Sequence, residues 1–340
     1  MSIYERIDTG TKEGHIPPQV AEYLRIFFKS CDRALSDAGK ETSSMETLYH
    51  QYLDGIAAQI THPADFDNYH TRITEPIDYT HFGTEFIRPF IDREGSTVLG
   101  RENLTKIREQ LARGDNVFFL ANHQSEVDPQ VIKLLLEPTH DEIGQEMIFV
   151  AGHRVTSDPT AVPFSLGCNL LCIYSKKHID HPPEKRHDKQ HHNAKTMKRM
   201  RELLEDGGHC VYIAPSGGRD RPDDQGILTP DPFDPPSLEM TILQVRQVHR
   251  PTHFYPLALL TYPILPPPNE VRKELGEKRE VAFAPVHLAI GDEIDIDFFD
   301  GHEHPNKKER RAARAAYIFS KVSDDYRRLQ TIDQAYKQRT

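Results

Sequence analysis

The sequence of 340 residues carries 42 Lys and Arg against 52 Asp and Glu, which gives a net charge of -10. This charge excludes the class of generally basic nucleic-acid binders, so any site for a polyanion must be local. Sixteen Phe and thirteen Tyr, within a hydrophobic fraction of 37%, are enough to fill a core and exclude wholesale disorder. The length indicates one large domain or two unequal ones.

The chain shows no segment typical of a membrane span. Its longest apolar runs, 117–121 and 257–265, are far shorter than the roughly 20 residues that a bilayer requires. The first residues show neither the apolar core of a signal peptide nor an Arg- and Ser-rich transit segment. The four cysteines form no CxxC pair, so we expect reduced thiols. We therefore expect a soluble protein of the cytoplasm or a mature form in an organelle.

The first sixty residues predict helices. Apolar residues recur every three or four positions over 20–35 and line one face of a helix. Ser43 and Glu46 have the spacing of a capping box that opens a second helix. Because two helices cannot bury both of their faces alone, we expect a small helical bundle domain over 1–66 that leans on a second domain over 75–340.

Helices and apolar strands alternate through the rest of the chain. We predict helices at 103–113, 129–137, 188–205 and 307–335, and strands at 117–121, 147–151, 170–174, 210–214 and 253–260. Continuous apolar strands between helices are typical of a buried sheet with covered faces. The sequence therefore predicts an α/β catalytic domain with a mixed, mostly parallel sheet flanked by helices.

The motif NHQSEVDP at 122–129 is the first candidate for chemistry. His123 leaves the end of an apolar strand, and Asp128 follows five positions later at the start of a helix. Across such a turn the carboxylate can reach one ring nitrogen, fix the tautomer and make the other nitrogen a general base for a hydroxyl. The alternative is that Asp128, placed before Pro129, is no more than a helix N-cap.

Positive side chains follow two further strands. Lys177 and His178 come after one of them, and Arg219 and Arg221 come after another, next to two glycines. Guanidinium groups match phosphate oxygens, so these residues predict a site for a small phosphorylated ligand. In the alternative, the two arginines pair with neighbouring aspartates in a surface turn.

The segment 184–201 holds seven Lys and Arg against two acidic residues. Such a run usually forms a solvated helix face. The alternative is that it serves as a docking surface for an acidic protein partner. The histidines at 178, 181, 187, 191 and 192 suggest a metal site, although their spacing matches no known ligand motif. The sequence has no GxxxxGK[ST], GxGxxG or GxSxG motif, so a phosphate loop or a serine-hydrolase elbow has no support.

Together these motifs resemble the successive blocks of the soluble, plastid-type glycerol-3-phosphate 1-O-acyltransferases. The similar segments are NHQSEVDP at 122–129, IFVAGHRV at 148–155, YSKKH at 174–178, IAPSGGRDRPD at 213–223, YPLAL at 255–259, PPP at 266–268 and LGEKR at 275–279. They cover most of 75–330 and occur in order. The helical N-terminus also resembles the first domain of that family.

The resemblance implies acyl transfer to the sn-1 hydroxyl of glycerol 3-phosphate from an acyl-acyl-carrier protein or acyl-CoA. His123 corresponds to the catalytic histidine of the family and Asp128 to its orienting aspartate. The phosphate-binding group corresponds to Lys177, His178, Arg219 and Arg221. We expect direct transfer with no cofactor, metal or covalent acyl-enzyme, in a monomer with no nucleic-acid partner and peripheral membrane contact at most. The resemblance also places the protein in a bacterial cytoplasm or a plastid stroma.

One residue departs from the family pattern. His153 stands where an acidic residue is expected before Arg154, which puts the role of that arginine in question. Two other classes remain as alternatives: a metal-dependent hydrolase built on the histidines, and a phosphometabolite-binding protein in which His123 is idle. We also expect Phe164 and the segment 257–265 to border an acyl groove.

Overall fold

The computed structural model describes residues 1–268 and 278–339. It begins with helices α1 (Ile3–Lys12), α2 (Pro18–Asp37) and α3 (Glu46–Thr61). The predicted helix over 20–35 is confirmed as α2. Helix α1, which the apolar periodicity did not single out, starts with a capping box in which Ser2 and Glu5 bond each other's backbone amides.

The capping box predicted at the start of α3 is wrong. A 3-10 turn, Thr42–Met45, precedes the helix, and the hydroxyl of Ser43 donates to Glu41 Oε2 at 3.2 Å. The extra turn moves Ser43 away from the first free amides of α3, so that its spacing to Glu46 no longer has the capping geometry.

Eight strands form one sheet. They are β1 (Tyr69–His70), β2 (Thr97–Leu99), β3 (Asn116–Ala121), β4 (Ile148–Gly152), β5 (Asn169–Ile173), β6 (Cys210–Ile213), β7 (Thr252–Leu260) and β8 (His287–Ile290), in the order β1-β5-β4-β6-β3-β7-β8-β2. Only the β1/β5 and β7/β8 pairs are antiparallel among the paired strands of the described residues. The predicted mixed, mostly parallel sheet is confirmed, and the five predicted strands are β3 to β7.

Helices cover both faces of this sheet. They are α4 (Tyr79–Ile87), α5 (Arg101–Ala112), α6 (Asp128–Leu136), α7 (Asp141–Glu146), α8 (Val162–Ser165), α9 (Lys176–Ile179), α10 (Arg186–Asp206), α11 (Pro235–Val245) and α12 (Lys307–Lys337). Strand β3 shows the layering: Val117 and Phe119 pack on the face with α5, and Phe118 packs on the face with α10 and α12. This central strand is buried throughout, as expected for a parallel strand covered on both sides.

The N-terminal helices share a hydrophobic core with helices α4 and α8 of the predicted second domain. Phe27 of α2 and Tyr52 of α3 pack in one cluster with Phe86 of α4 and Phe164 of α8. The Tyr52 hydroxyl also donates to the backbone oxygen of Thr160 at 2.7 Å. The division into domains over 1–66 and 75–340 stays a prediction. The hydrophobic core that contains these aromatic residues extends over both sides of the predicted boundary.

Two further properties bear on the sequence predictions. All four cysteines are free thiols, as predicted, and the fold buries all of them. Over the described ranges, no helix combines the length and the apolar character that a membrane crossing requires.

Candidate active site

The carboxyl ends of four adjacent parallel strands, β3 to β6, open into one cavity of about 650 Å³. His123, which follows β3, lines this cavity together with Arg154 after β4, His178 after β5, and Arg219 and Arg221 after β6. Parallel strands bring their carboxyl ends to one edge of the sheet, where open α/β sheets form their sites. The predicted base and three of the predicted phosphate ligands therefore share one cavity. The side chain of the fourth, Lys177, lies outside the described part of the chain.

His123 and Asp128 form a hydrogen-bonded pair. The Nδ1 atom of His123 lies 2.8 Å from Asp128 Oδ2. The histidine side chain is 28% exposed and the aspartate side chain 1% exposed. A buried carboxylate at this distance fixes the imidazole with its proton on Nδ1, so that Nε2 is the nitrogen left to exchange a proton with a ligand in the cavity.

Asp128 is not the N-cap of α6, so that alternative is wrong. The carboxylate accepts the backbone amides of Gln124 at 2.9 Å and Ser125 at 3.2 Å, which lie before the helix, and Val127 holds the cap position. A fourth donor, Thr261 Oγ1 at 2.6 Å, follows β7 and is 133 positions away in the sequence. These contacts hold the aspartate rigidly behind the imidazole.

Arg219 belongs to a buried ion cluster. Its guanidinium lies 3.1 Å from Glu126, and Glu126 also accepts from Arg279 Nε at 2.7 Å. Arg279 in turn donates to Thr160 at 2.7 Å and to Asp158 at 3.2 Å. Arg219 is only 9% exposed, so the surface-turn alternative is wrong for this arginine.

Arg221 is also positioned by the fold rather than by a neighbouring aspartate alone. Its Nε donates to the carbonyl of Pro268 at 3.2 Å and its Nη1 to the carbonyl of Arg219 at 3.1 Å. Asp223 accepts the backbone amides of Gln225 and Ile227. Both arginines thus reach the cavity from a loop whose shape is fixed by backbone contacts.

The charge of Glu126 depends on the arginines around it. Burial by itself would raise the pKa of this carboxyl, but the attraction of Arg279 and then of Arg219 outweighs burial and holds the pKa at about 2. Arg154 acts in the same direction. Glu126 is therefore ionised at neutral pH and orients Arg219 toward the cavity.

This arrangement gives a pH prediction for Glu126. Since its pKa is about 2 in the folded protein and ordinarily 4.5, its ionisation stabilises the fold above about pH 4.5, and that contribution disappears as the pH falls toward 2. Glu126→Gln should lower the free energy of unfolding most at neutral pH and progressively less toward pH 3. Urea unfolding of both proteins at several pH values measures this difference. A deficit that is the same at pH 3 and pH 7 would contradict it.

His153 replaces the acidic residue expected from the family pattern and packs against an aromatic ring. Its imidazole centroid lies 4.7 Å from that of Tyr174. Burial, and then the positive charges of Lys189 and the nearby histidines, lower the pKa of His153 and favour the neutral form of its imidazole. The negative charge near Arg154 is supplied by Glu126 instead.

The predicted basic surface over 184–201 is smaller than its composition indicates. Lys189 is buried, and its Nζ donates to the carbonyl of His178 at 2.7 Å and to that of His181. Arg186 pairs with Asp180 at 3.0 Å, and Arg199 pairs with Glu202 at 3.2 Å. Part of this charge therefore holds α9 and α10 together.

Two of the histidines of this region have structural partners. His178 Nδ1 lies 3.0 Å from Ser175 Oγ, and His192 Nε2 lies 2.9 Å from the carbonyl oxygen of Cys172. Within 1–268 and 278–339 no three His, Cys, Asp or Glu side chains are grouped so that they could hold a metal ion. The metal-dependent hydrolase thus lacks a ligand set among the described residues.

Several residues of the site escaped the sequence analysis. Glu126 lies inside the recognised motif, and a charged residue three positions after His123 was a signal that could have drawn attention to it. Thr261, Arg279 and Asp158 come from distant parts of the chain, and only the fold brings them into contact with the residues of the site.

Comparison with known proteins identifies the family. Residues 97–259 match a family model described as Acyltransferase. A chloroplastic glycerol-3-phosphate acyltransferase of Cucurbita moschata is 40% identical over 325 residues, which are 94% of this chain and 70% of that protein. The chain belongs to the plastid-type glycerol-3-phosphate acyltransferase family. The chloroplastic enzyme of Arabidopsis thaliana is 37% identical over 321 residues, covering 92% of this chain and 69% of its own.

Membership of the glycerol-3-phosphate acyltransferase family confirms the resemblance found in the sequence. The crystal structure of the 1-acyl-sn-glycerophosphate acyltransferase PlsC of Thermotoga maritima aligns with 72% of this chain and 78% of its own, at 16% identity and a TM-score of 0.38. In this glycerol-3-phosphate acyltransferase chain, the acyltransferase range 97–259 contains His123, Asp128 and both arginines, whereas Thr261 and Arg279 lie beyond its end.

Proposed function

We propose that this chain transfers an acyl group from an acyl-acyl-carrier protein or acyl-CoA to the sn-1 hydroxyl of glycerol 3-phosphate, giving lysophosphatidate. The observation that supports this most is the single cavity shared by the His123–Asp128 pair and the cations after β5 and β6. A hydroxyl and a phosphate on one small molecule match a base and a cationic pocket in one cavity. The relatives from Cucurbita moschata and Arabidopsis thaliana are named for this acceptor.

The phosphate would be bound by Arg219, Arg221, His178 and Lys177. Arg219 is preoriented by Glu126 at 3.1 Å, so little conformational entropy is lost when it binds an anion. Arg221 is fixed by two carbonyl oxygens. Guanidinium groups bind phosphate oxygens through charge-assisted hydrogen bonds.

In the chemical step, Nε2 of His123 takes the proton of the C1 hydroxyl while its oxygen attacks the thioester carbonyl carbon. Asp128 stabilises the imidazolium that results. When the tetrahedral intermediate collapses, the carbon–sulfur bond breaks and the leaving thiolate takes the proton back from His123. The products are lysophosphatidate and a free thiol, and the histidine returns to its neutral form.

We propose direct transfer without an acyl-enzyme and without a cofactor or metal. Ser125, the hydroxyl in the histidine motif, is buried, and its Oγ donates to the carbonyl of Leu265 at 3.0 Å. It is therefore engaged as a structural donor rather than held against the imidazole as a nucleophile would be.

The acyl chain would occupy the apolar part of the same cavity. Of the predicted groove residues, Phe164 and Leu265 line it, together with Phe27 and Tyr52 from the N-terminal helices. Residues 257–260 instead form the buried end of β7. The N-terminal helices thus supply part of the surface that we propose for the acyl group.

For the donor, we propose that the exposed lysines of α10 help to dock an acidic carrier protein. We further propose that this protein acts as a monomer and has peripheral membrane contact at most. The compartment would be the plastid stroma for a plant protein, as for the chloroplastic relatives, or the cytoplasm for a bacterial one.

The decisive assay is incubation of the purified protein with glycerol 3-phosphate and either thioester donor, followed by detection of lysophosphatidate. Product that depends on both substrates and is unaffected by a chelator supports the proposal. Binding of glycerol 3-phosphate without acyl product would favour the non-catalytic phosphometabolite-binding protein, and chelator-sensitive hydrolysis would favour the metal-dependent hydrolase.

The arginines give a separate prediction. Arg219→Ala and Arg221→Ala should each raise the KM for glycerol 3-phosphate by about tenfold or more, because each removes a charged hydrogen bond of about 1.5–3 kcal/mol to the phosphate. Steady-state kinetics at a fixed, saturating thioester concentration measures this. Arg33→Ala, at an exposed position on α2, is the matched control. An unchanged KM in both variants would place the phosphate elsewhere.

A further inference from the structure

Asp220 lies between Arg219 and Arg221 in the sequence, yet its side chain points away from solvent and is completely buried. Its Oδ2 accepts Asn122 Nδ2 at 2.8 Å and Gln124 Nε2 at 3.2 Å. These two donors are the immediate neighbours of His123. The carboxylate therefore joins the residues on both sides of the histidine to the residue between the two arginines.

The backbone makes the same connection. The amide of Asp220 donates to the carbonyl oxygen of His123 at 2.6 Å, and Oδ1 of Asp220 accepts the amide of Asp231 at 2.9 Å. The two loops leave adjacent parallel strands, since β3 and β6 pair directly up to Leu120 and Ile213. They are thus close enough for one short side chain to bridge them.

The partners of Asp220 are themselves fixed. Asn122 donates to the carbonyl of Leu259 and accepts its amide, at 2.9 and 2.8 Å. Gln124 accepts the amides of Thr261 and Tyr262 and donates to Tyr326 of α12. The bridge is anchored on β7 and on the last helix, so a displacement at Asp220 would move the histidine loop relative to the arginine loop.

We propose that Asp220 is a positioning residue that sets the distance between the His123 imidazole and the cations of Arg219 and Arg221. This inference rests on the proposed function, in which the acceptor is held at both ends by those groups. A displacement of about 1 Å in such an arrangement costs on the order of a hundredfold in rate. Through the contacts of Asp220 with Asn122 and Gln124, binding of the phosphate at the arginines places the C1 hydroxyl of the acceptor next to Nε2 of His123.

The ionisation of Asp220 agrees with this role. Burial raises the pKa of Asp220 to about 7, against the lowering effect of the hydrogen bonds from Asn122, the amide of Asp231 and Gln124. Above that pH the carboxylate accepts from all three donors. Kinetic tests of the bridge therefore belong at pH 8.

The test is Asp220→Asn, which keeps the size of the side chain but leaves one acceptor oxygen for donors on both sides. We expect kcat to fall by about tenfold to a hundredfold at pH 8. The Kd for glycerol 3-phosphate, measured by calorimetry, should change less than threefold, because both arginines remain. Asp224→Asn, an exposed site with the same change of charge, is the control. A merely structural role would lower the thermal midpoint without separating kcat from Kd.

A second variant tests the same bridge from its other end. Gln124→Glu keeps the oxygen that accepts two backbone amides but removes the donor to Asp220, so it should also lower kcat. It serves as the test on its own if Asp220→Asn does not fold. In the double variant, the new amide at position 220 can donate to the new carboxylate at position 124, so this contact is restored with its direction reversed. We expect the kcat of the double variant to be at least threefold above that of Asp220→Asn.

The outcomes separate the inference from the proposed function. If the unaltered protein makes no lysophosphatidate, the proposed function fails. If it is active and both single variants keep its kcat, or if kcat and Kd worsen equally with no recovery in the double variant, the positioning role is overturned and the proposed function stands.

Discussion

His123→Ala should lower kcat for lysophosphatidate formation by about a hundredfold or more and leave the fold intact. The imidazole is the group that we propose to remove the hydroxyl proton, and general-base catalysis contributes roughly 10²–10⁴-fold. The side chain is 28% exposed at the cavity wall, so its loss creates no buried cavity that would unfold the protein. Initial rates at saturating substrates, together with a thermal melt, measure both parts of the prediction.

The control for this experiment is His15→Ala, which removes an exposed histidine from the surface of the N-terminal region. It should leave kcat within about twofold of the original. Activity of His123→Ala close to that of the control would remove the base from the mechanism, while binding of glycerol 3-phosphate at the arginines would still stand as a separate result.

Arg279→Leu should destabilise the protein by about 3–5 kcal/mol, the usual effect of breaking a buried ion pair by removing one partner. Arg279 is buried, and its guanidinium contacts Glu126 and Asp158. Without it, Asp158 keeps a buried charge that accepts from the amide and hydroxyl of Thr160, and Glu126 keeps its contact with Arg219. Urea unfolding at pH 7 measures the change in the free energy of unfolding.

Neutralising Asp158 should recover part of this loss. Adding Asp158→Asn to Arg279→Leu removes the buried charge that has lost its arginine, so stability should rise by about 1–2 kcal/mol above that of the single variant. Arg33→Leu, at an exposed site, should stay within about 0.5 kcal/mol of the original protein. A loss of less than about 1 kcal/mol for Arg279→Leu would show that this cluster does not support the fold.

The predictions for His123→Ala and Arg279→Leu concern different parts of one site. In the proposed mechanism His123 acts on the acceptor, whereas Arg279 acts through Glu126 on the arginine that we propose to hold the phosphate. The cluster also touches the N-terminal helices, because Arg279 contacts Thr160, whose carbonyl accepts the Tyr52 hydroxyl. Stability and binding of the acceptor are thus expected to be coupled through buried charges.

Local patterns were enough for the central strands and their loops. The apolar run at β3 and the start of α6 predicted where His123 and Asp128 would lie, because a strand and a helix each have a short-range period that the sequence displays directly. The strands β1, β2 and β8 were missed, and for β1 and β2 the reason is that two or three residues are too few to show a period.

The sequence by itself determined the α/β class, the alternation that places His123, His178, Arg219 and Arg221 after parallel strands, and the motifs of the glycerol-3-phosphate acyltransferase family. Only the tertiary structure decided which partners these residues have: Thr261 on Asp128, Glu126 on Arg219, and Asp220 on the neighbours of His123. Periodicity and capping depend on neighbours within a few positions. A buried polar contact depends on which distant segments the sheet brings together, and no local pattern records that distance.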